Sequence, residues 1–323
     1  MAPTSRHLVD PQLLTVLDSL PPLVLSMDNL ADVRETARRP APLYAETDAA
    51  AEVIERRVPG PPGAPEVAIT LCRPRAAPGP WPGILHMHGG GYVVGAPSAD
   101  VPQHRALAAS LGCCIISVDY RLAPETPFPG AIEDCYAVLS WIASEAAALN
   151  IDGTRLGVMG ESAGGGLAAA LALLARDRGG PSLAFQHLIY PMIDDRTCVT
   201  STPHPFAGEF LWTAHNNRFG WTALLGAAPG GAQVSPYAAA ARTQDLSGLP
   251  PAFIATGALD LFVDEDLDYA LRLTRAGVAV ELHVYPGGFH AFDFVPGAQV
   301  AEQARRDSRE ALARAMRPRP PCP

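Results

Sequence analysis

The sequence predicts an α/β fold in which a mostly parallel sheet is covered by helices on both faces. Short segments that are apolar throughout alternate with longer segments whose apolar residues recur at helical spacing. Strands of that kind are typical of a parallel sheet buried on both sides. The chain has 323 residues, of which 48% are hydrophobic, so it is long enough to bury a large core.

Two short helices and two strands are predicted before the alternation begins. The first helix starts at Asp10-Pro11 and ends before Pro21-Pro22, because proline suits the first turn of a helix and breaks its interior. A second helix is predicted over Asp28–Arg38. The two strands are predicted over Glu52–Val58 and Glu66–Arg73.

The alternating part supplies the rest of an eight-stranded sheet. The strands are predicted over Gly83–His88, Cys113–Val118, Arg155–Met159, Phe185–Tyr190, Ala252–Thr256 and Val280–Tyr285. The helices are predicted over Ala99–Leu111, Ala131–Ala148, Ser162–Ala175, Asp264–Arg275 and Ala298–Ala315. Active sites of such sheets lie at the carboxyl ends of the strands, so functional residues are expected just after a strand.

Residues 191–236 interrupt the alternation and are rich in proline and aromatic residues, with Trp212, Phe219 and Trp221 close together. Because this insertion follows the carboxyl end of a strand, we expect it to lie over the active-site edge as part of a lid. An ordinary pair of surface helices is the alternative. The predicted division of the chain is N-terminal cap helices 1–48, a catalytic core 49–190 and 237–317, a cap insertion 191–236 and a tail 318–323.

The charge and the N-terminus exclude several classes of function. The formal net charge is −9 without a dense Lys/Arg cluster, which argues against nucleic acid as a partner. Residues 1–10 lack the pattern of a signal peptide, and the most apolar segment, Leu167–Leu174, is too short to span a bilayer. We therefore expect a cytoplasmic protein without a membrane span.

The six cysteines form no C-x-x-C pair, and cysteine and histidine never cluster at zinc-ligand spacing. We therefore expect reduced thiols and no metal. The cysteines are Cys72, Cys113, Cys114, Cys135, Cys198 and Cys322.

The pentapeptide Gly160-Glu161-Ser162-Ala163-Gly164 has the form G-x-S-x-G and joins a predicted strand to a predicted helix. A serine on such a turn projects its hydroxyl from the sheet edge, and the amide of the next residue points at the reacting oxygen. Small residues are needed there because helix and strand approach closely. Ser162 is therefore the candidate nucleophile, and a small-residue turn before a packed helix is the alternative.

A serine hydroxyl needs a base to take its proton, and His290 is the candidate. It follows the strand Val280–Tyr285 in the segment Pro286–Phe292, whose glycines allow a tight loop and whose aromatic residues can exclude water. It also follows the serine along the chain, as the order nucleophile, acid, base requires. His187 and His283 lie within predicted strands, and we expect them to be structural.

The base needs an acid to hold its tautomer and stabilise its charged form. Asp260 fits, because it follows the end of the strand that precedes the His290 strand. Asp264, Glu265 and Asp266 are competitors, but they open the following helix, where acidic residues complement the helix dipole.

The run His88-Gly89-Gly90-Gly91 directly follows its own predicted strand and can turn consecutive amides into one cavity. We expect the amides of Gly89, Gly90 and Ala163 to form an oxyanion hole, with Gly91 in the same supporting loop. His88 is expected to orient the loop, because as a base it would precede the serine. A flexible glycine turn is the alternative.

These motifs resemble the hormone-sensitive lipase-like family of α/β-hydrolases, the bacterial family IV esterases, over about residues 45 to 315. The matching segments are His88-Gly89-Gly90-Gly91-Tyr92, Asp119-Tyr120-Arg121-Leu122-Ala123-Pro124-Glu125 with Pro127-Phe128-Pro129, Gly160–Gly165, Asp260–Glu265 and Gly288–Phe292. The resemblance implies Ser162 as nucleophile, Asp260 as acid and His290 as base. It also implies the oxyanion donors named above and a cap built from the N-terminal helices and the insertion.

Two residues depart from the commoner family pattern. Glu161 stands where aspartate is commoner, a variant that defines a subgroup, and Leu261 stands where proline is commoner. Neither change affects the predicted triad. Glu161 is expected to support the nucleophile loop.

The sequence therefore predicts a serine carboxylesterase that uses water, a small-molecule ester and no cofactor. An amidase, lactonase or deacetylase on the same fold is the alternative, because specificity depends on the pocket walls. A ligand-binding receptor on an inactive hydrolase scaffold is a further alternative, but such receptors lose the catalytic histidine. A pocket lined by Tyr92, Trp212, Phe219 and Trp221 favours short- to medium-chain acyl groups. The last strand is expected at a sheet edge, where a homodimer could form.

Overall fold

The structure, a computed structural model, describes residues 5–40, 50–75 and 78–318. It confirms the predicted α/β-hydrolase fold with an eight-stranded, mostly parallel sheet. The strands are β1 Ala51–Val58, β2 Val67–Pro74, β3 Trp81–Met87, β4 Cys114–Asp119, β5 Ile151–Glu161, β6 Gln186–Ile189, β7 Ala252–Gly257 and β8 Val280–Tyr285. The α-helices are α1 Pro11–Ser19, α2 Leu30–Ala37, α3 Val101–Leu111, α4 Gly130–Glu145, α5 Ala163–Asp177, α6 Ala214–Leu225, α7 Val263–Arg275 and α8 Gln299–Ala315.

The strand order in the sheet is β1-β2-β4-β3-β5-β6-β7-β8. β2 runs antiparallel to both β1 and β4, and every later neighbour pair is parallel. The carboxyl ends of β3 through β8 therefore meet at one edge, where the motif residues follow them. β8 lies at the end of the sheet, as predicted.

Alternate residues of the central strands pack into different helix layers. Ile84 and Met159 lie in a cluster with side chains of α3 and α8. Their neighbours Leu85 and Val158 lie in the main core with side chains of α4, α5 and α7. Helices therefore cover both faces of the sheet, and this explains why most residues of the central strands are apolar.

Several element boundaries differ from the predictions by a few residues. The largest difference is in β5, which begins at Ile151 rather than Arg155 because Ile151 already pairs with Trp81 of β3. The register of β5 against β3 shifts between Pro82 and Gly83. The first residues of β5 include polar ones, so they lack the apolar pattern that predicts a strand in the later residues.

The N-terminal segment is bound both to the insertion and to the core. The buried Asn216 of α6 accepts a hydrogen bond from the Leu25 amide at 2.9 Å and donates one to the Leu23 carbonyl at 2.9 Å. Arg34 of α2 donates two hydrogen bonds of 2.7 Å to the Glu125 carboxylate and one of 2.7 Å to the Val93 carbonyl. The Asn216 bonds hold the segment between α1 and α2 beside the insertion, and the Arg34 bonds hold α2 against the core. The predicted domain boundaries stay predictions.

Parts of the predictions fall outside the described residues. These are residues 1–4 and 41–48 of the predicted N-terminal cap, residue 49 of the predicted core, and residues 319–323 of the predicted tail, which include Cys322. The other five cysteines are free and buried. Across the described ranges, no helix has both the length and the apolar character needed to cross a membrane.

Candidate active site

Ser162 occupies a strained turn between β5 and α5, with φ 57° and ψ −121°. The glycines on either side permit the close approach that this turn requires. A Cβ atom on Gly164 would lie 1.9 Å from the Met87 carbonyl oxygen, and one on Gly160 would lie 2.3 Å from the Gly164 carbonyl oxygen. A larger residue at either position would push the helix from the sheet, so the sequence motif and the backbone geometry agree.

Ser162, His290 and Asp260 form one chain of hydrogen bonds. His290 Nε2 lies 3.0 Å from Ser162 Oγ, and His290 Nδ1 lies 2.8 Å from Asp260 Oδ2. All three are buried, and the other oxygen of Asp260 accepts a hydrogen bond of 3.0 Å from the Phe262 amide. The arrangement can pass the serine proton to the imidazole while the carboxylate holds the imidazole in place.

Three aromatic rings enclose the His290 imidazole. The centroid of the imidazole lies 4.8 Å from that of the Tyr190 ring, 5.2 Å from that of the Phe262 ring and 6.1 Å from that of the Trp212 ring. Exclusion of water by these rings strengthens the hydrogen bonds of the chain. The sequence predictions missed Tyr190 and Phe262, although each stands just after a strand end or a triad residue, where a contact with the histidine is expected.

The glycine run follows β3 and lies against the Ser162 turn. A Cβ atom on Gly89 would lie 3.1 Å from the Glu161 carbonyl oxygen and 3.6 Å from Ser162 Cβ. Gly90 has φ 119° and Gly91 has φ 59°, both in the region that favours glycine. Within the described part of the chain, the amides of Gly89, Gly90 and Ala163 donate no hydrogen bond to another residue. Amides without a partner in the protein are the donors that an oxyanion hole requires.

The His88 side chain is hydrogen-bonded to the glycine run. Its Nδ1 donates to the Gly89 carbonyl oxygen at 2.8 Å, and its ring stacks on Tyr120 at 4.2 Å. The Tyr120 hydroxyl donates in turn to the His88 carbonyl at 2.8 Å. Burial lowers the pKa of His88 to about 4, so the imidazole stays neutral and keeps this single tautomer.

Glu161 points to the opposite face of the sheet from the triad. Its Oε2 lies 2.8 Å from His86 Nε2, and His86 Nδ1 lies 3.0 Å from Ser117 Oγ. Ser117 Oγ also lies 3.0 Å from His104 Nδ1. Burial raises the pKa of Glu161 to about 8 and lowers the pKa of His86 to about 3. Both shifts favour the neutral forms of the pair. The network of Glu161, His86, Ser117 and His104 joins three central strands to α3 behind the nucleophile.

The four predicted pocket residues differ in where they lie. The Trp212 ring covers Gly91 so closely that a Cβ atom there would lie 2.2 Å from it. Tyr92 is fully buried and donates from its hydroxyl to the Met192 carbonyl at 2.7 Å. Trp221 is fully buried against the Tyr92 ring, and Phe219 is partly buried against the main core. Trp212 is therefore the pocket candidate that the structure places beside His290.

Two other titratable candidates, Glu265 and His187, have partners away from Ser162. Glu265 accepts hydrogen bonds from the amides of Ile193 and Asp194 at 2.7 and 3.2 Å, so it anchors the start of the insertion. The sequence predictions treated Glu265 as a competitor for the acid and preferred a role at the helix dipole, because its long-range partners are not visible in the sequence. His187 Nε2 lies 2.8 Å from Ser308 Oγ, which fits its predicted structural role.

Comparison with known proteins agrees with this geometry. The family described as the alpha/beta hydrolase fold matches residues 84–294. Carboxylesterase NlhH of Mycobacterium tuberculosis is 35% identical over 321 residues, which cover 97% of this chain and 98% of that protein. The ethyl acetate hydrolase of Pseudomonas putida is 34% identical over 68% of each chain. The chain therefore belongs to the α/β-hydrolase family.

A solved structure titled a bacterial heroin esterase superimposes with a TM-score of 0.91 at 40% identity. The superposition covers 98% of this chain and 100% of that one. The resemblance to hormone-sensitive lipase-like esterases, predicted from the motifs, is confirmed.

Proposed function

We propose that the protein is a serine carboxylesterase that hydrolyses short- to medium-chain acyl esters through an acyl-enzyme intermediate. The observation that carries this proposal is the hydrogen-bonded chain Ser162–His290–Asp260 beside the free amides of the glycine run. The enzyme class, carboxylic ester hydrolase, agrees with the named activities of the relatives.

Ser162 is the nucleophile in this mechanism. As its Oγ attacks the ester carbonyl carbon, its proton moves to His290 Nε2, 3.0 Å away. Asp260 accepts the Nδ1 proton of His290 in a hydrogen bond of 2.8 Å and stabilises the imidazolium that forms. The carbonyl oxygen gains the negative charge of the tetrahedral intermediate.

The amides of Gly89, Gly90 and Ala163 receive that oxygen. They belong to a loop and a helix N-terminus that are already ordered around Ser162, so no reorganisation is needed during the reaction. Loss of one such donor typically costs about a hundredfold to a thousandfold in kcat.

His290 completes both halves of the reaction. It gives its proton to the departing alkoxide, and the alcohol leaves the acyl-enzyme. Water then attacks the acyl carbon while His290 takes the water proton, and the carboxylic acid is released with Ser162 restored.

The short- to medium-chain preference rests on Trp212. This buried ring lies over Gly91 and beside His290, so it limits the space next to the reacting carbonyl. The activity named for the Pseudomonas putida relative, hydrolysis of ethyl acetate, also favours a short acyl group.

Comparison of wild type with Ser162→Ala on p-nitrophenyl acetate tests the proposal. We expect Ser162→Ala to lose activity by about 10⁴-fold or more, because removal of a triad nucleophile has that order of effect. Ser110→Ala is the matched control, since Ser110 is an exposed serine on α3 whose hydroxyl donates to the Leu107 carbonyl at 3.3 Å. Equal hydrolysis by wild type and Ser162→Ala would refute the proposal.

We also propose a cytoplasmic homodimer that pairs through β8. The edge position of β8 supports this, as do Leu282 and Val284, whose exposed fractions are 37% and 38%. Light scattering at micromolar protein is expected to give twice the chain mass. Leu282→Lys is expected to give the mass of one chain, and a monomeric wild type would contradict the dimer.

A further inference from the structure

Tyr190 lies directly after β6 and packs against the imidazole of His290. The ring centroids are 4.8 Å apart at 61°, and the Tyr190 side chain is almost wholly buried. The Tyr190 backbone has φ 35° and donates a hydrogen bond of 2.6 Å to the Ala255 carbonyl of β7. A non-glycine residue with positive φ is strained, so the surrounding structure must hold this tyrosine in place.

The hydroxyl of Tyr190 is bonded to the loop that carries His290. It donates to Asp293 Oδ1 at 2.9 Å. Asp293 lies in the 3₁₀ turn Phe292–Phe294, immediately beyond His290 and Ala291. One side chain therefore contacts the imidazole with its ring and the imidazole's own loop with its hydroxyl.

We propose that Tyr190 is a positioning residue for the catalytic base: its ring fixes the lateral position of the His290 imidazole, and its bond to Asp293 holds the His290 loop against β6. This inference rests on the proposed function, because it assigns His290 the role of base. The base must meet Ser162, the leaving alcohol and water in turn from one position, so lateral movement of the ring lowers the rate.

The charge on Asp293 decides how firmly the loop is held. Burial raises the pKa of Asp293 to about 6, and the nearby Glu161 carboxyl also raises it, whereas the Tyr190 hydroxyl and the Arg305 guanidinium lower it. Tyr285 of β8 also faces this carboxyl. A hydroxyl bonded to a carboxylate is held more strongly than one bonded to a neutral acid. The Tyr190–Asp293 bond is therefore expected to weaken as pH falls through about 6.

A cavity of about 400 Å³ lets protons reach this bond. Tyr190, Asp293, Glu161 and Tyr285 all line it, on the face of the sheet covered by α3 and α8. Asp293 can therefore exchange protons from behind the sheet, without passage through the substrate pocket.

The test uses Tyr190→Phe, which keeps the ring and removes the hydroxyl, and Asp293→Asn, which removes the charge. Tyr285→Phe is the matched control, since its hydroxyl also donates to an aspartate, Asp307 Oδ2 at 2.9 Å, and it lines the same cavity. We would measure kcat and KM on p-nitrophenyl acetate from pH 5 to 9. Active sites would be counted with an organophosphonate, and folding would be checked by thermal unfolding.

We expect Tyr190→Phe to lower kcat per active site by about tenfold at pH 8 with little change in KM, because small displacements of a catalytic group cost rate and not ground-state binding. The ratio of wild-type to Tyr190→Phe kcat should decline towards one as pH falls below about 6, where the Asp293 carboxyl becomes neutral. Protonation of His290 itself lowers kcat in both wild type and Tyr190→Phe, so this effect cancels in the ratio. Asp293→Asn should reproduce the loss at pH 8, and Tyr285→Phe should match wild type throughout.

Two results would overturn the inference. One is a kcat per active site of Tyr190→Phe and Asp293→Asn equal to that of wild type at pH 8. The other is a loss of kcat that is the same at every pH, or a loss of total activity that comes only from a smaller number of titrated active sites. A purely structural role of Tyr190 would give either of these. If either occurs while Ser162→Ala is inactive, the positioning role fails and the proposed function stands.

Discussion

His290 Nε2 and Ser162 Oγ lie 3.0 Å apart, although the two residues are 128 positions apart in the chain. The parallel strands explain how they meet. Ser162 follows β5 and His290 follows β8, and the carboxyl ends of both strands lie at the same edge of the sheet. The distance suits proton transfer, so the reactivity of the serine depends on how well the histidine is held.

The first prediction concerns Asp260, the carboxylate that is hydrogen-bonded to His290 Nδ1. Asp260→Asn keeps the shape of the side chain but cannot hold the imidazole tautomer that accepts the serine proton. We expect kcat to fall by about 10⁴-fold, the order seen when a triad acid is replaced by its amide. Asp264→Asn is the control, because Asp264 is exposed at the start of α7. A loss shared equally by both variants would count against Asp260 as the acid.

A second prediction concerns the approach of α5 to the sheet. Alanine at Gly164 would place its Cβ 1.9 Å from the Met87 carbonyl oxygen, and backbone cannot yield cheaply there. We expect Gly164→Ala to lower the free energy of unfolding by about 3 kcal/mol or more, as severe overpacking does. At Gly153 the corresponding Cβ meets only Ala146 Cβ at 3.8 Å, so Gly153→Ala should be close to wild type. Urea unfolding of the two variants checks this, and equal stabilities would contradict it.

The third prediction concerns stability and pH. Burial raises the pKa of Glu161 from 4.5 to about 8, so the folded state keeps a proton that the unfolded chain loses near 4.5. The contribution of this proton to the free energy of unfolding is fully present below about pH 4.5. It is lost as the pH rises from there through about 8. Between pH 6.5 and 8 the contribution of Glu161 to the free energy of unfolding should fall by about 1 to 2 kcal/mol.

Glu161→Gln cannot ionise, so it should show a smaller decline over that range. Asp100, a neighbouring carboxyl whose pKa is also raised by burial, should supply the remainder. Glu302→Gln is the control, since Glu302 is an exposed carboxylate that lines the same cavity. Urea unfolding at a series of pH values measures the slope, and a Glu161→Gln slope identical to that of wild type would rule out this role of Glu161.

The fourth prediction concerns acyl length. Trp212→Ala removes the ring that lies over Gly91 and beside His290, so the pocket gains room next to the reacting carbonyl. We expect the best substrate in a series of p-nitrophenyl esters from acetate to palmitate to shift to a longer acyl chain. Trp141→Ala is the control, because Trp141 lies on α4, within the layer of helices on one face of the sheet. An unchanged preference in Trp212→Ala would show that another residue limits the acyl group.

The sequence predicts the parts of the site that depend on local backbone geometry. The turn at Ser162 and the loop at Gly90 need glycine for steric reasons that a short motif records. The positions of Asp260 and His290 follow from the order of strands, since both stand directly after one. These residues could be named from the sequence for that reason.

Contacts between distant side chains could not be predicted in the same way. The bond of Glu161 to His86, the anchoring of the insertion by Glu265 and the contact of Tyr190 with His290 depend on how separate strands pack. For Trp221, the sequence suggests a role that its position in the fold does not support. Its place among the aromatic residues of the insertion suggests a pocket wall, but it is fully buried against Tyr92.

Trapping of the acyl-enzyme would identify Ser162 as the nucleophile in a single experiment. Wild type would be mixed with p-nitrophenyl acetate, quenched with acid within one turnover and digested for peptide mass spectrometry. We expect an acetyl group on Ser162 in wild type and none at this position in Ser162→Ala. Rapid hydrolysis with no acetyl group on Ser162, or with the acetyl group on another residue, would show that Ser162 is not the nucleophile.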